Sequence, residues 1–461
     1  MSDYRTALSA LYRLESFGMR LGLENIAAYC ASAGHPERAW PSFHVAGTNG
    51  KGTTASCLAA LARAHGLLTG LYTSPHLVDF RERIRVDGRP IPKAGIVRTW
   101  DRVGPFATER SMTFFEAGTL IAFEWFAEQR VDIAVLEVGL GGRLDATNVV
   151  RPRLAVVTNI ALDHERHLGA DLVAIAREKA GIFKRDVPAL VGDPGPPPVH
   201  AALAEAAAAR GAPLGWLDEE ARWVIRAMDE RVSVFDYESD LGRIEGLSLP
   251  LSGAHFVADA ALALRAWERV RGAIDPTIAR TALSAAAPPG RMEWRTADGV
   301  PVLFDVAHNP AALERLVETL AVVSRRRWTF VTGMLADKRW PAMLDTLLAL
   351  APRGWLCGLA TANAGRRLTA AETSAALADR PGAAWVESVG EGLSAARRRV
   401  EGGEADAILV TGSFHTVGEA LVALGLASPE EPYASAGASA SDPAAGAHRS
   451  VEAAGVPGGF A

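Results

Sequence analysis

HVAGTNGKGTT, residues 44–54, is a glycine-rich turn that follows an apolar run and precedes a predicted helix. A loop that binds phosphate usually has the pattern G-x-x-x-x-G-K followed directly by Ser or Thr. Here Val45 stands at the first glycine position, Gly52 follows Lys51, and the hydroxyl comes one place late, at Thr53. The stretch therefore departs from the usual pattern, and its function needs independent support.

The composition of this loop nevertheless favours phosphate binding. Its glycines let backbone N–H groups approach a phosphate closely, Lys51 supplies a positive charge, and the helix N-terminus adds a partial one. Thr53 can offer its hydroxyl to Mg²⁺. The plain alternative is a glycine-rich turn with one exposed lysine. We expect a nucleotide site formed by Gly47, Thr48, Asn49, Gly50, Lys51, Gly52 and Thr53.

Short apolar runs alternate with amphipathic helical stretches along the chain. Such runs are typical of strands buried on both faces of a parallel sheet, joined by right-handed helical crossovers. The sequence PPG at 288–290 interrupts the pattern, which then starts again. We predict an α/β protein. It has a P-loop-type, mostly parallel sheet ATPase domain over 1–287, a smaller Rossmann-like α/β domain over 291–427, and a disordered tail over 428–461.

Charge and composition exclude several classes of function. The net charge of −5 argues against general nucleic-acid or membrane-surface binding. The N-terminus has charges throughout, and no apolar run is long enough to span a membrane. Three scattered cysteines, Cys30, Cys57 and Cys357, fit a reducing compartment and lack a metal-binding spacing. We therefore expect a cytoplasmic protein without nucleic-acid or membrane partners.

Several longer blocks resemble one family of enzymes. The spelling G-T-N-G-K-G-T resembles the ATP-dependent Mur-type ligases, and most closely the folylpolyglutamate synthases and dihydrofolate synthases of the bifunctional bacterial type. YTSPHLVDFRERIRVDG (72–88) and LEVGLGGRLDATN (136–148) look like the family's second and third signatures. ALDHERHLG (161–169), IAREKAGIFK (175–184), FDVAHNP (304–310) and GSFHT (412–416) follow in the family's order.

The resemblance implies a reaction that forms an amide from a carboxylate and an amine. ATP converts the carboxylate to an acyl phosphate, and the amino group of L-glutamate then displaces phosphate. Such chemistry needs a phosphate clamp, metal ions and donors that face developing charge. The implied acids are 7,8-dihydropteroate and reduced folates, and the implied cofactors are ATP and two Mg²⁺ ions. Members of the family are mostly monomeric.

The implied metal site begins with Glu137, at the end of a predicted strand. A carboxylate there points into the ligand crevice of an open α/β sheet, although a solvated strand end is the plain alternative. The resemblance implies that Lys179 is carbamylated and contacts a second metal ion, whereas Glu178 and Lys179 alone indicate a solvated helix face. The metal ligands implied are Thr53, Ser74, Glu137, His164 and Lys179, and the catalytic residues are Lys51, Lys179 and His308.

Further nucleotide contacts are implied in the second half of the chain. Arg291 follows the PPG hinge, where a guanidinium can close on phosphate with two hydrogen bonds. The family places Asp305 on the ribose and His308 near the phosphates, so that ATP lies between two domains. The plain alternative is an Asx turn before a helix at Pro310. Asp259 stands where the family commonly has an Asn against adenine, and an ionised Asp cannot donate a hydrogen bond.

The acid substrate is expected to contact five segments. Phe115 can stack on a flat pterin ring, although most phenylalanines are core residues. GGRLDATN at 141–148 is either a tight turn capped by Asp and Asn or part of the phosphate and pterin sites. The implied substrate residues are Gly22, Leu23, Glu24, Arg83, Thr113, Phe115, Arg143, Asp145 and Ser413.

Three other functions fit part of the pattern. A Mur-type ligase could act on a different carboxylate, although TSPHL and GGRLDATN argue against it. A P-loop kinase or phosphatase would need no amine acceptor. A non-enzymatic nucleotide-binding scaffold would not need the set Lys51, Glu137, His164 and Lys179.

Overall fold

The computed structural model describes residues 3–18, 22–164, 168–169, 171–362, 366–429 and 451–452. Within them, the N-terminal half contains an eight-stranded sheet with the strand order β4-β3-β2-β5-β1-β6-β7-β8. Six of its strands are parallel, and β3 and β4 add an antiparallel edge. The strands are β1 Ser42–Ala46, β2 Thr69–Tyr72, β3 Ile84–Val86, β4 Arg89–Pro90, β5 Ile133–Glu137, β6 Leu154–Val157, β7 Ala189–Val191 and β8 Leu214–Trp216.

Helices cover both faces of this sheet and continue into the rest of the chain. Those of the first half are α1 Tyr4–Arg13, α2 Glu24–Ser32, α3 Lys51–Ala64, α4 Lys93–Glu109, α5 Phe114–Gln129, α6 Leu172–Lys179, α7 Pro197–Arg210, α8 Leu217–Glu220, α9 Ala254–Arg271 and α10 Pro276–Ser284. Those of the second half are α11 Pro310–Val323, α12 Trp340–Leu350, α13 Ala370–Ala378, α14 Val389–Glu401 and α15 Phe414–Ala423.

The central strands are buried along their whole length because both faces are covered. Val135 of β5 packs in a core with Leu58 of α3 and Trp267 of α9. Its neighbour Leu136 points to the opposite face and packs in a core with Phe123 of α5. Successive side chains of a strand point to opposite faces, so a continuous apolar run is what such a strand requires. The prediction of a mostly parallel α/β sheet is confirmed.

A small antiparallel sheet, which the sequence did not lead us to expect, follows α8. It consists of β9 Ala221–Met228, β10 Ser233–Ser239 and β11 Gly242–Leu249, in the order β11-β10-β9. The segment Val451–Glu452 pairs with the free edge of β9, at Met228 and Ala227. Apart from residues 428–429 and this segment, the predicted disordered tail lies outside the described residues.

A third sheet forms the C-terminal part and confirms the second predicted α/β unit. It contains six strands in the order β12-β13-β17-β14-β15-β16, all parallel except β12. These strands are β12 Glu293–Ala297, β13 Val300–Phe304, β14 Trp328–Thr332, β15 Gly354–Cys357, β16 Ala383–Val386 and β17 Ala407–Thr411. None of the helices in the described ranges is both long and apolar enough to cross a membrane.

Candidate active site

One large cavity lies where the two parallel sheets present the carboxyl ends of their strands. Its volume is about 2330 Å³, above the ~300–1000 Å³ of a usual small-molecule pocket. Lys51, Glu137, Asp259, Arg291 and His308 all line it, although they come from distant parts of the chain. Parallel α/β sheets bind ligands at this edge.

At Gly47 and Gly50, the glycine loop between β1 and α3 passes too close to its neighbours for a side chain. A Cβ on Gly47, whose φ is +146°, would lie 1.8 Å from Thr158 Oγ1. A Cβ on Gly50, whose φ is +80°, would lie 2.2 Å from Asp259 Oδ1. Positive φ and close approach are the two conditions that require glycine. The glycines therefore shape the loop as well as exposing its backbone.

Hydrogen bonds fix the loop to the end of β6. Asn49 O accepts from Thr158 Oγ1 at 2.5 Å and from Asn159 Nδ2 at 2.9 Å, and Asn49 N donates to Asn159 Oδ1 at 3.1 Å. Lys51 Nζ donates to Gly47 O at 3.1 Å and to Thr48 O at 2.9 Å. Burial lowers the pKa of Lys51, while the Glu137 charge opposes that change.

Glu137 ends β5 directly beside the loop. Its Oε2 accepts from the Ser74 backbone N–H at 2.9 Å, and both carboxylate oxygens lie 3.8 Å from the position of a Cβ on Gly52. Burial raises the pKa of Glu137, and the charges of Lys51 and Arg291 oppose this. A cation beside the carboxylate would stabilise its ionised form. Thr53, Ser74, Glu137 and His164 line the same cavity.

Lys179, at the end of α6, contacts the phosphate loop. Its Nζ donates to Gly47 O at 2.8 Å, so it shares that carbonyl with Lys51. Burial, assisted by the Lys51 charge, lowers the pKa of Lys179 to about 7. It lines a small adjoining cavity together with Gly47, Asp163, His164 and His308. Lys179 is therefore a buried amine with a substantial neutral fraction near neutral pH.

A polar network that the sequence did not predict joins the two parallel sheets at Asp163. The Asp163 carboxylate forms an ion pair with Lys338, accepts from Asn309 Nδ2 at 3.1 Å, and lies 3.4 Å from His308 Nε2. Asn309 Nδ2 also donates to Asn49 Oδ1 at 2.9 Å. Burial would raise the pKa of Asp163, but His308, His164 and Lys338 lower it well below its usual range. The motifs LDH and HNP contain three of these residues, Asp163, His308 and Asn309, and were the available signal.

The predicted nucleotide residues Asp259, Arg291, Asp305 and His308 line the same cavity as the phosphate loop. Asp305 accepts from Met292 N at 3.0 Å and from Ala307 N at 2.9 Å, which holds the segment that carries Arg291. Burial raises the pKa of Asp305. Burial also raises the pKa of Asp259 to about 7, although the charges of Arg291 and Lys51 favour its ionised form.

Most predicted substrate residues lie along the cavity. Thr113 uses its hydroxyl in a capping box at the start of α5, with Glu116 Oε2 at 2.8 Å. Arg143 lies outside the cavity, because its half-exposed guanidinium bonds Glu178 Oε1 at 2.7 and 3.0 Å. Leu23 and Glu24, at the start of α2, also do not line it. The predicted substrate residues that do are Gly22, Arg83, Thr113, Phe115, Asp145 and Ser413.

Two substrate-side residues carry roles that the sequence did not indicate. Arg83 Nε donates to His76 Nδ1 at 2.8 Å, and His76 Nε2 lies 3.3 Å from Tyr12 Oη. Burial and the Arg83 charge hold the pKa of His76 well below its ordinary value, so the imidazole is neutral. His76 lies in the quoted TSPHL stretch, whereas nothing in the sequence singles out Tyr12.

Comparison with known proteins gives results consistent with this geometry. The chain matches the Mur ligase middle domain over residues 45–266 and the Mur ligase glutamate ligase domain over residues 290–414. The dihydrofolate synthase/folylpolyglutamate synthase of Escherichia coli K12 is 38% identical over 417 residues, which cover 89% of this chain and 93% of that one. The enzyme of the same description from Mycobacterium tuberculosis is 37% identical over 70% of this chain and 72% of that one.

Solved structures give the same similarity. A structure of Escherichia coli FolC in complex with DHPP and ADP has a TM-score of 0.81 and 35% identity, covering 92% of this chain and 99% of that one. A structure of Mycobacterium tuberculosis folylpolyglutamate synthase complexed with ADP has a TM-score of 0.84 and 32% identity, covering 93% and 100%. The structural similarity therefore extends over both parallel sheets.

Proposed function

Because the chain belongs to the dihydrofolate synthase/folylpolyglutamate synthase family, we propose that it is an ATP-dependent ligase that joins L-glutamate to 7,8-dihydropteroate and to reduced folates. One observation supports the proposal most directly. The phosphate loop with Lys51, the Glu137 carboxylate, and Arg291 and His308 beside the third sheet converge on a single cavity. That cavity has room for a nucleotide and an acid side by side.

The chain's own residues position the reactants. The loop N–H groups and Lys51 hold the phosphates, and Arg291 and His308 line the same cavity. The acid oxygen attacks the γ-phosphorus, ADP leaves, and the acyl phosphate forms. The amino group of glutamate then attacks the acyl carbon, phosphate leaves, and the amide remains. Alignment of these groups and exclusion of water supply most of the rate enhancement.

The residues around Glu137 fit a magnesium ion. Mg²⁺ prefers oxygen ligands, keeps several waters, and is often bound by one or two carboxylates together with substrate phosphates. Among the described residues no three His, Cys, Asp or Glu side chains group as a complete metal cage. Glu137, Thr53 and Ser74 would hold the ion, with His164 beside them. When bound, Mg²⁺ neutralises charge that develops on the phosphates.

We further infer that Lys179 is carbamylated and contributes to a second Mg²⁺ site. The amine adds to CO₂ and loses one proton, which gives a carbamate anion. This reaction needs the neutral amine, and burial lowers the pKa of Lys179 to about 7. The resulting anion would lie between His164 and the loop carbonyl of Gly47. An anion there would balance the nearby Lys51 charge.

Carbamylation is tested by native mass spectrometry of the full chain with and without CO₂. Lys184 is a matched control, because burial also lowers its pKa, to about 8, but its Nζ bonds Asn148 instead of the loop. We expect a mass gain of one CO₂ that Lys179→Arg abolishes, that Lys184→Arg retains and that acid removes. Full activity of a CO₂-depleted, unmodified protein would contradict the inference.

The ligase activity is tested by release of ADP and phosphate with a panel of acids. Dihydropteroate, tetrahydrofolate and a muramyl peptide are each supplied with ATP, with and without L-glutamate. We expect release only when glutamate accompanies one of the first two acids. Release with the muramyl peptide would indicate a Mur-type ligase, and release without an amine would indicate a kinase or phosphatase.

We also infer that the protein acts as a monomer in the cytoplasm. Cys30, Cys57 and Cys357 are free and buried, as expected for a chain that folds in a reducing compartment. Light scattering of the purified protein tests the inference that it is a monomer.

A further inference from the structure

A second polar cluster of the cavity lies around Arg83, away from the phosphate loop. Arg83 ends the short turn Phe80–Arg83 and is only 8% exposed. Within the described ranges it forms no ion pair, and its guanidinium carbon lies 5.2 Å from the Phe114 ring centre. Aromatic contacts offset only part of the cost of burying a cation. Because Arg83 lines the cavity, an anion in the cavity can reach it.

The hydrogen bond from Arg83 fixes the protonation of His76. A guanidinium can only donate, so His76 Nδ1, which receives its Nε–H at 2.8 Å, carries no proton. The proton of the neutral imidazole is therefore on Nε2. Nε2 lies 3.3 Å from Tyr12 Oη, so it donates to the Tyr12 oxygen. The Tyr12 hydroxyl must then donate its own hydrogen bond to a different acceptor.

The position of that hydroxyl is well defined. The Tyr12 ring stacks on Phe114, with ring centres 5.3 Å apart and an angle of 16° between the planes. No acceptor for its proton lies within hydrogen-bond distance in the part of the chain that the structure describes, and Tyr12 lines the cavity. Arg83 donates its Nε–H to His76, but its two NH₂ groups and the Tyr12 hydroxyl are donors for which the described residues supply no acceptor. Two neighbouring donors, one of them a guanidinium, suit a carboxylate.

We propose that Arg83 and Tyr12 form a carboxylate subsite, which takes the non-reacting carboxylate of the terminal glutamate of a reduced folate. The proposal rests on the function proposed above. Dihydropteroate has one carboxylate, and that group reacts. A folate ends in glutamate with two carboxylates, so one remains free when the other becomes the acyl phosphate. The subsite would therefore favour reduced folates over dihydropteroate as the acid substrate.

The location of the subsite agrees with this assignment. His76 lies two residues after Ser74, whose N–H bonds the Glu137 carboxylate at 2.9 Å. The Thr73 N–H donates to Arg83 O at 2.9 Å, so Arg83 adjoins the segment that carries Ser74. The subsite is therefore beside the predicted reaction centre, as a second carboxylate on the same glutamyl group requires. The incoming L-glutamate also has carboxylates, so the experiment must separate the two sources.

The test compares Tyr12→Phe with Tyr4→Phe in the full chain. Tyr4 lies on the same helix, does not line the cavity, and has its hydroxyl 3.5 Å from Asp79 Oδ1. The kcat/KM is measured for tetrahydrofolate and for dihydropteroate at saturating ATP and glutamate. We expect Tyr12→Phe to lower the ratio of the two values about tenfold, the effect of losing one hydrogen bond to a charged group. Tyr4→Phe should leave the ratio unchanged.

Two Arg83 variants extend the test. Arg83→Gln should lower the same ratio further than Tyr12→Phe, and Arg83→Lys, which keeps the charge, should recover part of the loss. Thermal unfolding of each variant shows whether it is folded. An equal fall in kcat/KM for both acids would overturn the proposal, because it would indicate a structural role. A higher KM for L-glutamate with either acid would also overturn it, because the subsite would then hold the incoming amino acid.

Equilibrium binding separates this proposal from the proposed function. Tetrahydrofolate and dihydropteroate are titrated into the protein while tryptophan fluorescence is measured, without turnover. If the wild-type protein forms no amide, the proposed function fails. If Tyr12→Phe binds tetrahydrofolate more weakly than the wild-type protein does but binds dihydropteroate equally well, the subsite is still supported. If the wild-type protein and Tyr12→Phe bind both acids equally well, the subsite is overturned.

Discussion

Replacement of Asp259 by asparagine should strengthen ATP binding and make the KM for ATP less dependent on pH. Asp259 Oδ1 lies 2.2 Å from the position that a Cβ of Gly50 would take, so its carboxyl group packs directly against the phosphate loop. Burial raises its pKa to about 7. An ionised carboxylate at this position repels the polyphosphate that the loop is predicted to hold. Protonation of Asp259, or its replacement by a neutral amide, removes that repulsion.

The expected size of the effect follows from this pKa. If only the protonated form bound ATP, the KM for ATP would rise with pH, about thirtyfold between pH 6 and pH 8.5. The charges of Arg291 and Lys51 favour the ionised carboxylate, and they partly screen the repulsion. Thirtyfold is therefore an upper limit. At pH 8.5, Asp259→Asn should lower the KM for ATP by a factor of several.

The folded protein should also be more stable when Asp259 is protonated or replaced by asparagine. The folded-state pKa of about 7 lies above the ordinary 3.8, so the folded state binds this proton more tightly than the unfolded state does. Stability from this group is present below pH 3.8 and is lost as the pH rises to 7. The complete loss corresponds to at most about 4 kcal/mol. Asp259→Asn should therefore raise the free energy of unfolding at pH 8, measured with urea.

The assay is the KM for ATP of both proteins across this pH range, with saturating acid and glutamate. ATP itself takes up a proton near neutral pH, and Asp379→Asn, an exposed change far from the cavity, provides the baseline for that effect. The wild-type and control curves should rise together, while the Asp259→Asn curve stays flatter. A wild-type KM that follows the Asp259→Asn curve, or a higher KM in that variant, would refute the reasoning.

Three further changes test the loop and the polar network. Gly47→Ala should reduce kcat/KM for ATP at least tenfold, because its Cβ would meet Thr158 Oγ1 at 1.8 Å; circular dichroism will show whether the fold is retained. Lys338→Met should lower the free energy of unfolding in urea by about 3 kcal/mol, since it leaves the buried Asp163 carboxylate without its ion pair. Asn309→Ala removes the donor shared by Asn49 and Asp163 and should raise the KM for ATP severalfold in the ADP-release assay.

The elements that the sequence predicted correctly are those whose requirements are local. A strand buried on both faces needs an apolar run, and β5 and β6 have one. The strands β9–β11 were missed because they are half-buried. Along β11, Glu245 is exposed while Leu247 and Leu249 are buried, and a search for continuous apolar runs does not detect that alternation.

Side-chain partners across long sequence separations could not be predicted in the same way. Asp163 and Lys338 are 175 positions apart, and only the approach of the two sheets makes them an ion pair. For Arg143, the resemblance predicted a substrate contact that the structure does not show. Arg143 lies in a stretch that the resemblance placed at the substrate, but α6 brings Glu178 to it first. A motif fixes the backbone of a loop more firmly than the direction of a long side chain on it.

The network at Asp163 gives the cavity a property that neither sheet has alone. Asn309, which caps α11, donates one amide group to Asn49 in the phosphate loop and to Asp163 after β6. Displacement of the third sheet would break both bonds and separate Asp163 from Lys338. Because Asp163, Asn309 and the Lys338 side chain are buried, the loss of one partner makes the others costly. The loop and the third sheet therefore hold their positions together, and a nucleotide bound between them would stabilise both.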